Sequence, residues 1–266
     1  MLKKFLFYST LFTFSLLLSA CGGRAENVVI VAGSTSVQPF VELLAEIYEI
    51  GRPDKEVDVQ GGGSSAGVQA ARSGTADIGM SSRPLRESEQ DLWHIEIARD
   101  GLSIIVHPSN PVSNITLEQL LAIYTGQITN WSELGGNNAQ IHVIAREEGS
   151  GTRGAFEELV MNYERITPRA IVQNTNGSVK QLTSNDRHAI GFISLGLVDD
   201  TVKGLSINGV APTFENVMNY SYELFRSFWF MSAEEPMGGS KEFIDFVLSD
   251  EGRRILSNEG LVPSSR

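Results

Sequence analysis

The stretch VVIVAGSTSVQPFVELLAEIY, residues 28–48, decides the fold. Val28 to Ala32 is a compact apolar run of strand length, and Gly33-Ser34-Thr35-Ser36 is a small polar turn. Val37, Phe40, Val41, Leu44, Ile47 and Tyr48 then recur at helical spacing, so the segment reads as strand, turn, helix. Pro39 fits this reading, because a first helical turn tolerates a missing N–H. The pattern returns at once: Val57 and Val59 on a short strand, Gly61 to Ser65 as the turn, and Ala66 to Arg72 as a helix closed by Ser73-Gly74. Ala76 to Met80 is a third strand, which stops abruptly at Ser81-Ser82-Arg83-Pro84 because Pro84 disfavours helix at Arg83.

Farther along, Leu102 to His107 is a buried-type strand followed by Pro108 and Pro111, and a fresh helix starts at Leu117. This places a crossover between two lobes, and the apolar run Leu224 to Met231 is the matching candidate for a return crossover. Between them lie a strand at Ile141 to Ala145, a turn at Arg146 to Gly151 and a helix at Thr152 to Tyr163. A turn at Asn174 to Ser178, a helix at Val179 to Ser184 and a strand at Ala189 to Leu195 complete the second set. Helices at Lys241 to Leu248 and Glu251 to Asn258 close the chain. Strands alternating with helices imply an α/β architecture.

Composition narrows the function. The 266 residues carry 21 Lys+Arg against 32 Asp+Glu, a net charge of −11, so a nucleic-acid surface is not expected. One cysteine excludes an internal disulfide framework, a four-cysteine zinc site and a CxxC motif. Lys3 and Lys4 precede an apolar run, Phe5 to Ala20, that ends in small residues, which is the layout of a secretory signal. Leu18-Ser19-Ala20-Cys21 resembles the bacterial lipobox, in which the cysteine becomes the lipidated first residue. Cleavage there would leave 246 residues with a net charge of −13, tethered outside the membrane by a short spacer, residues 21–27.

The chemistry concentrates in turns. Gly33-Ser34-Thr35-Ser36, Gly63-Ser64-Ser65, Ser81-Ser82-Arg83 and Gly149-Ser150-Gly151-Thr152 each follow an expected strand, and three of them precede a helix. A helix N-terminus offers free N–H donors and about half a positive charge, and Ser and Thr hydroxyls add donors without net charge. Convergent turns of this kind would enclose an anion even in an acidic protein. Arg83 and Arg146 sit at strand ends beside them, where a guanidinium can pair twice with a tetrahedral oxyanion, whereas Arg72 and Arg153 fit solvated helix positions. For any single turn the competing role is capping its own helix.

Other motifs fare worse. No Gly-Lys followed by Ser or Thr exists for a Walker A loop. The one GxGxxG, Gly149 to Gly154, lacks the acid that a dinucleotide site needs about 20 residues on. Gly63-Ser64-Ser65-Ala66-Gly67 matches GxSxG, so a serine hydrolase with Ser65 as nucleophile and Asp186 and His188 as partners is the rival of another class. His94, His107, His142 and His188 are scattered without metal-ligand spacing, and neither a metal nor another cofactor is expected. The sequons at Asn114, Asn130, Asn176 and Asn219 carry little meaning if the lipobox marks a bacterial chain.

Taken together, the landmarks resemble the phosphate-binding proteins that deliver substrate to phosphate ABC transporters. They are Gly33 to Pro39, Gly61 to Gly67, Gly74 to Arg83, Thr129-Asn130-Trp131, and Arg146 through Thr152. The resemblance implies a two-lobed periplasmic-binding-protein-like fold of type II, with lobes joined by two crossover strands and closing on the ligand by hinge motion. It implies phosphate contacts from Thr35, Ser36, Ser64, Arg146, Ser150, Gly151 and Thr152; Ser34, Ser65 and Arg83 join them by proximity, and Ser82 by its place in the family's pattern. Many relatives place at position 82 an Asp that accepts the proton of hydrogen phosphate, and here Ser82 stands instead. Glu148 is the candidate substitute acceptor, its other role being to pair with Arg146.

The expected organisation is a signal peptide, 1–20; the spacer, 21–27; a first lobe from 28–105 and 226–266; and a second lobe, 106–225. The expected function is extracytoplasmic capture of inorganic phosphate for the membrane subunits of an ABC importer, by a monomer anchored through lipid on Cys21. Sulfate or molybdate capture, or signalling on the same scaffold, are the alternatives.

Overall fold

The computed structural model describes residues 27–162 and 164–265. The leader, Cys21, most of the spacer and Tyr163 lie outside them, and no helix among the described residues is long and apolar enough to cross a membrane.

The opening stretch folds as read. β1 (Val28–Gly33) runs into α1 (Gln38–Glu49), and β2 (Glu56–Gly61) follows and pairs parallel with β1. α2 (Ser64–Ser73) then leads to β3 (Ile78–Ser81), which pairs parallel with the other side of β1. Gly33 is required where β1 ends: its φ is 142°, and a Cβ there would lie 2.3 Å from the Met80 carbonyl oxygen. The same Cβ would lie 2.9 Å from Cα of Gly67, so α2 packs tightly against the sheet at this point.

β4 (Trp93–Val106) is far longer than the strand expected at Leu102 to His107. It pairs antiparallel with β11 (Phe225–Ser232) up to Gly101 and with β8 (Ala189–Ser194) from Leu102 onward. The change of neighbour therefore falls at Gly101, ahead of the boundary at 105 drawn from composition, and Leu102 and Ile104 pack with the second lobe. β8 pairs parallel with β6 (His142–Arg146), and β6 with the edge strand β7 (Ile171–Gln173). The order across the curled sheet is β2-β1-β3-β11-β4-β8-β6-β7. Short strands complete it: β5 (Asn114–Ile115) pairs with β10 (Ser206–Ile207), while β9 (Lys203–Gly204) and β12 (Val262–Pro263) pair with β4.

Two large apolar cores, with two smaller clusters beside them, make this a two-lobed type II fold joined by β4 and β11. One gathers Val31, Leu44, Ile78, Met80, Phe228, Phe230 and Phe243 under α1 and α7 (Gly238–Val247), with α8 (Asp250–Asn258) beside them. The other gathers Ile104, Tyr124, Trp131, Phe156 and Phe192 beneath α3 (Leu117–Thr125), with Val217 of α6 (Phe214–Met218). Burying side chains of this size contributes roughly 1.5–3 kcal/mol each, so each lobe has its own driving force.

The helix expected from Thr152 to Tyr163 is interrupted. α4 (Gly151–Phe156) passes into a π-helical turn, Glu157–Met161, that ends at Asn162 with φ 46°. Val160 and Met161 of the wider turn are buried in the core and Leu159 is half-buried against it. α5 (Asn176–Asn185) begins earlier than the expected Val179, with Thr175 accepting from the Ser178 amide as its N-cap.

Candidate anion-binding site

Four helix N-termini meet between the lobes: α1 and α2 from the first, α4 and α5 from the second. The lobe-one hydroxyls are not spent on their own helices. α1 has Val37 and α2 has Gly63 at the N-cap, neither giving a side-chain cap. Ser34 Oγ donates to Ser82 Oγ at 2.8 Å and accepts the Ser36 amide at 3.2 Å. Ser64 Oγ accepts the Ser82 amide at 3.0 Å. Ser34, Ser36, Ser64 and Ser82 are all buried.

The second lobe supplies the cation. Arg146, at the end of β6, is 1% exposed. Its Nη2 donates to Thr35 Oγ1 across the cleft at 3.0 Å, and its Nη1 to Thr152 Oγ1 at 3.3 Å and Asn176 Oδ1 at 3.4 Å. Glu147 holds the guanidinium from behind, accepting from Nε at 3.1 Å and Nη2 at 3.0 Å. Burial draws the Arg146 pKa down from its ordinary value and the Glu147 carboxylate opposes the shift. Ser36 Oγ lies 2.5 Å from Thr152 Oγ1 and accepts from Asn176 Nδ2 at 2.8 Å, so hydroxyls of both lobes touch.

Not every expected residue joins this cluster. Ser150 is buried, but its Oγ accepts the Arg153 amide at 3.2 Å and so caps α4; only its proton remains to give. Ser65 is half-buried and crosses the cleft through its amide, which donates to the Gly149 carbonyl at 3.3 Å. Gly151 lies against lobe one: a Cβ there would sit 2.1 Å from Ser64 Oγ and 2.4 Å from Ser82 Oγ.

Two expectations are corrected. Arg83 does not offer its guanidinium to the cleft, because Nη1 and Nη2 pair with the two carboxylate oxygens of buried Glu89 at 2.7 and 2.9 Å. Its stem instead lies where a Cβ on Gly154 of the second lobe would come within 3.1 Å, so it serves the contact between lobes. Glu148 is exposed, and the carboxylate paired with Arg146 is Glu147.

The hydrolase triad is not assembled either. Asp186 pairs with His142 Nδ1 at 2.6 Å and accepts the His188 amide, at the starting ends of β6 and β8. Ser64, Ser82 and Thr152 lie at the opposite, finishing ends of the parallel strands. Among the described residues no cluster of His, Cys, Asp and Glu fit to hold a metal occurs.

Reasoning from sequence missed Asn176, which is 1% exposed and joins Ser36 to Arg146. Its signal was available: Asn174 to Ser178 is a further polar turn ahead of a helix, with the same Ser/Thr/Gly chemistry as the other three that precede helices.

A buried cation ringed by hydroxyls and helix N-termini is an anion site, and the comparisons with known proteins agree with it. Residues 22–251 match the PBP superfamily domain. Phosphate-binding protein PstS of Bacillus subtilis is 31% identical over 246 residues, covering 90% of this chain and 82% of that protein. PstS of Borreliella burgdorferi is 31% identical over 275 residues, 98% of this chain and 99% of the relative. The chain belongs to this phosphate-binding protein family.

Solved members share the family's arrangement with it. A substrate-binding protein of the phosphate ABC transporter type from Clostridium perfringens, with bound phosphate, is 44% identical with a TM-score of 0.87, over 90% of this chain and all of that one. An ABC-type phosphate transport receptor from Vibrio cholerae is 40% identical with a TM-score of 0.74, over 88% of this chain and 99% of the other.

Proposed function

We propose that this cleft captures inorganic phosphate outside the cytoplasmic membrane and hands it to an ABC importer. The observation that carries the reading is Arg146, buried and bonded to hydroxyls of both lobes. A dianion placed among these donors would receive charge-assisted hydrogen bonds from the guanidinium together with bonds from Thr35, Ser36, Ser64, Ser82 and Thr152. Gly151 lets the two halves close on it. On this reading the first lobe is built from the segments around α1, α2, α7 and α8 and the second from those around α3 to α6. The protein acts as a monomer without a cofactor.

Selectivity depends on who accepts the proton of hydrogen phosphate. A fixed carboxylate rewards that proton and repels fully deprotonated sulfate. With Ser82 at that place, a hydroxyl accepts the bond but repels sulfate much less, and Glu147 is engaged by Arg146. Phosphate is therefore preferred over sulfate by a smaller margin than a site bearing Asp would give, and Ser82→Asp widens the margin. Displacement of radiolabelled phosphate by sulfate at several pH values tests this. Complete exclusion of sulfate by the wild type, relieved by Glu147→Gln, would make Glu147 the acceptor and overturn the role of Ser82.

Localisation follows from the leader. Cys21 carries the lipid on this reading, and Cys21→Ser should release the protein from membranes or leave its precursor unprocessed. Membrane fractionation with an intact Phe5 to Ala20 segment still attached would contradict it.

A further inference from the structure

The two crossover strands share one buried ion pair. Asp100 of β4 and Arg226 of β11 stand directly opposite each other in the antiparallel register, and their side chains are 0% and 1% exposed. One carboxylate oxygen of Asp100 accepts from Arg226 Nε at 3.1 Å and Nη2 at 2.9 Å. The other accepts from Ser194 Oγ at 2.8 Å and from the Leu195 amide at 3.2 Å, both at the finishing end of β8. One carboxylate thus ties together both connections between the lobes and the second lobe's own sheet.

The turn it grips also faces the first lobe. Leu195–Leu197 forms a 3₁₀ turn, and a Cβ on its Gly196 would lie 2.9 Å from the Phe40 ring of α1 and 2.6 Å from the Glu259 carbonyl oxygen. α1 follows directly on the turn that carries Thr35 and Ser36 into the anion site. The hand-over of β4 from β11 to β8 occurs at the very next residue, Gly101, where a Cβ would come within 2.9 Å of Leu195 and Val217. A rotation of one lobe on the other must pass through this point, and the bonds to Asp100 permit few positions of the Leu195 turn against α1.

The pair is costly to bury, which argues that it does more than fill space. Burial pushes the Asp100 carboxyl up and the Arg226 guanidinium down, each charge opposing the shift of the other, and the nearby charge of Arg146 draws Arg226 down further. Arg226 Nη1 is buried without a hydrogen-bond partner among the described residues. Apolar residues of the same volume often serve stability as well as a buried ion pair does.

We propose that Arg226, clamped by Asp100, is a positioning residue of the hinge that holds the closed angle at which Thr35 and Ser36 meet Arg146, Thr152 and Asn176. On this proposal Arg226 acts through the angle between the lobes and not by contact with the ligand. The proposal deepens the phosphate reading and rests on it only for the choice of ligand.

The test uses the full chain carrying Cys21→Ser, with Ile50→Cys on the first lobe and Val172→Cys on the second, both exposed, for energy transfer between dyes. In that background Arg226→Gln should weaken phosphate affinity tenfold or more and lower the closed fraction both with and without phosphate. Arg226→Lys should recover part of each. A folded Arg226→Gln protein with affinity and closed fraction both within twofold of the parent would overturn the proposal. Should Arg226→Gln fail to fold, Ser194→Ala removes one bond from Asp100 without uncovering a charge. A lower closed fraction in that variant supports the hinge role, and an unchanged one overturns it. A parent chain that binds no phosphate, yet whose closed fraction still falls in these variants, would sink the phosphate reading and leave the hinge role standing.

Discussion

Arg146→Ala is expected to weaken phosphate binding by about thirtyfold or more while leaving the fold intact. The guanidinium is buried and is bonded to Thr35 on one lobe and to Thr152 and Asn176 on the other. Truncating one partner of a buried charge pair costs roughly 2–5 kcal/mol, and about 1.4 kcal/mol is tenfold in affinity. The variant also leaves Glu147 without its cation beside the anion, which adds repulsion to the lost attraction. Arg146→Lys would keep the charge but not the planar fork, so it should recover only part of the loss. Binding isotherms of the three proteins check this. Unchanged affinity in Arg146→Ala would remove the second lobe's cation from the site.

Gly151→Ala should separate folding from binding. Gly151 is the first residue of α4 and its φ is not positive, so alanine suits the local backbone and the unliganded protein should melt no earlier. Its methyl group, however, would lie 2.1 Å from Ser64 Oγ and 2.4 Å from Ser82 Oγ once the lobes meet. Overpacking of this kind costs about 1–3 kcal/mol, which is roughly fivefold to more than hundredfold in affinity. Gly151→Val should be worse still. Thermal melts and phosphate titrations on the same samples supply both readings, and full affinity in Gly151→Ala would mean that the lobes bind without this contact.

Much of the fold was legible because the strand–turn–helix rhythm is local. The two crossovers were found as apolar runs, but the first was cut short. Trp93, Ile95 and Ile97 alternate with His94, Glu96 and Ala98, a period of two that marks a strand, and the charged residues within it hid the signal. The buried charges of Asp100 and Arg226 face each other across 126 residues of sequence, a pairing that no local pattern shows.

The site was legible in its chemistry and less so in its assignments. Hydroxyl turns are visible in sequence, but which hydroxyl caps a helix and which faces the cleft depends on where each helix starts. Ser150 caps α4, whereas Ser36 crosses to Thr152. Arg83 looked available because its partner, Glu89, belongs to a short 3₁₀ turn, Glu87–Glu89, that the sequence does not announce. Glu147 and Glu148 differ by one position, and only the strand register at the end of β6 decides which of them meets Arg146. Asn176 was passed over because Asn-Gly-Ser was read as a glycosylation sequon and turn, though its place at a helix N-terminus matched the other turns.

The central claim, that the cleft is a phosphate site, is tested most directly by calorimetric titration of the chain carrying Cys21→Ser with phosphate, sulfate and molybdate. The account predicts one phosphate per chain, bound more tightly than either competitor, with sulfate weaker but measurable. Tighter binding of sulfate or molybdate, or no heat with phosphate, would contradict it.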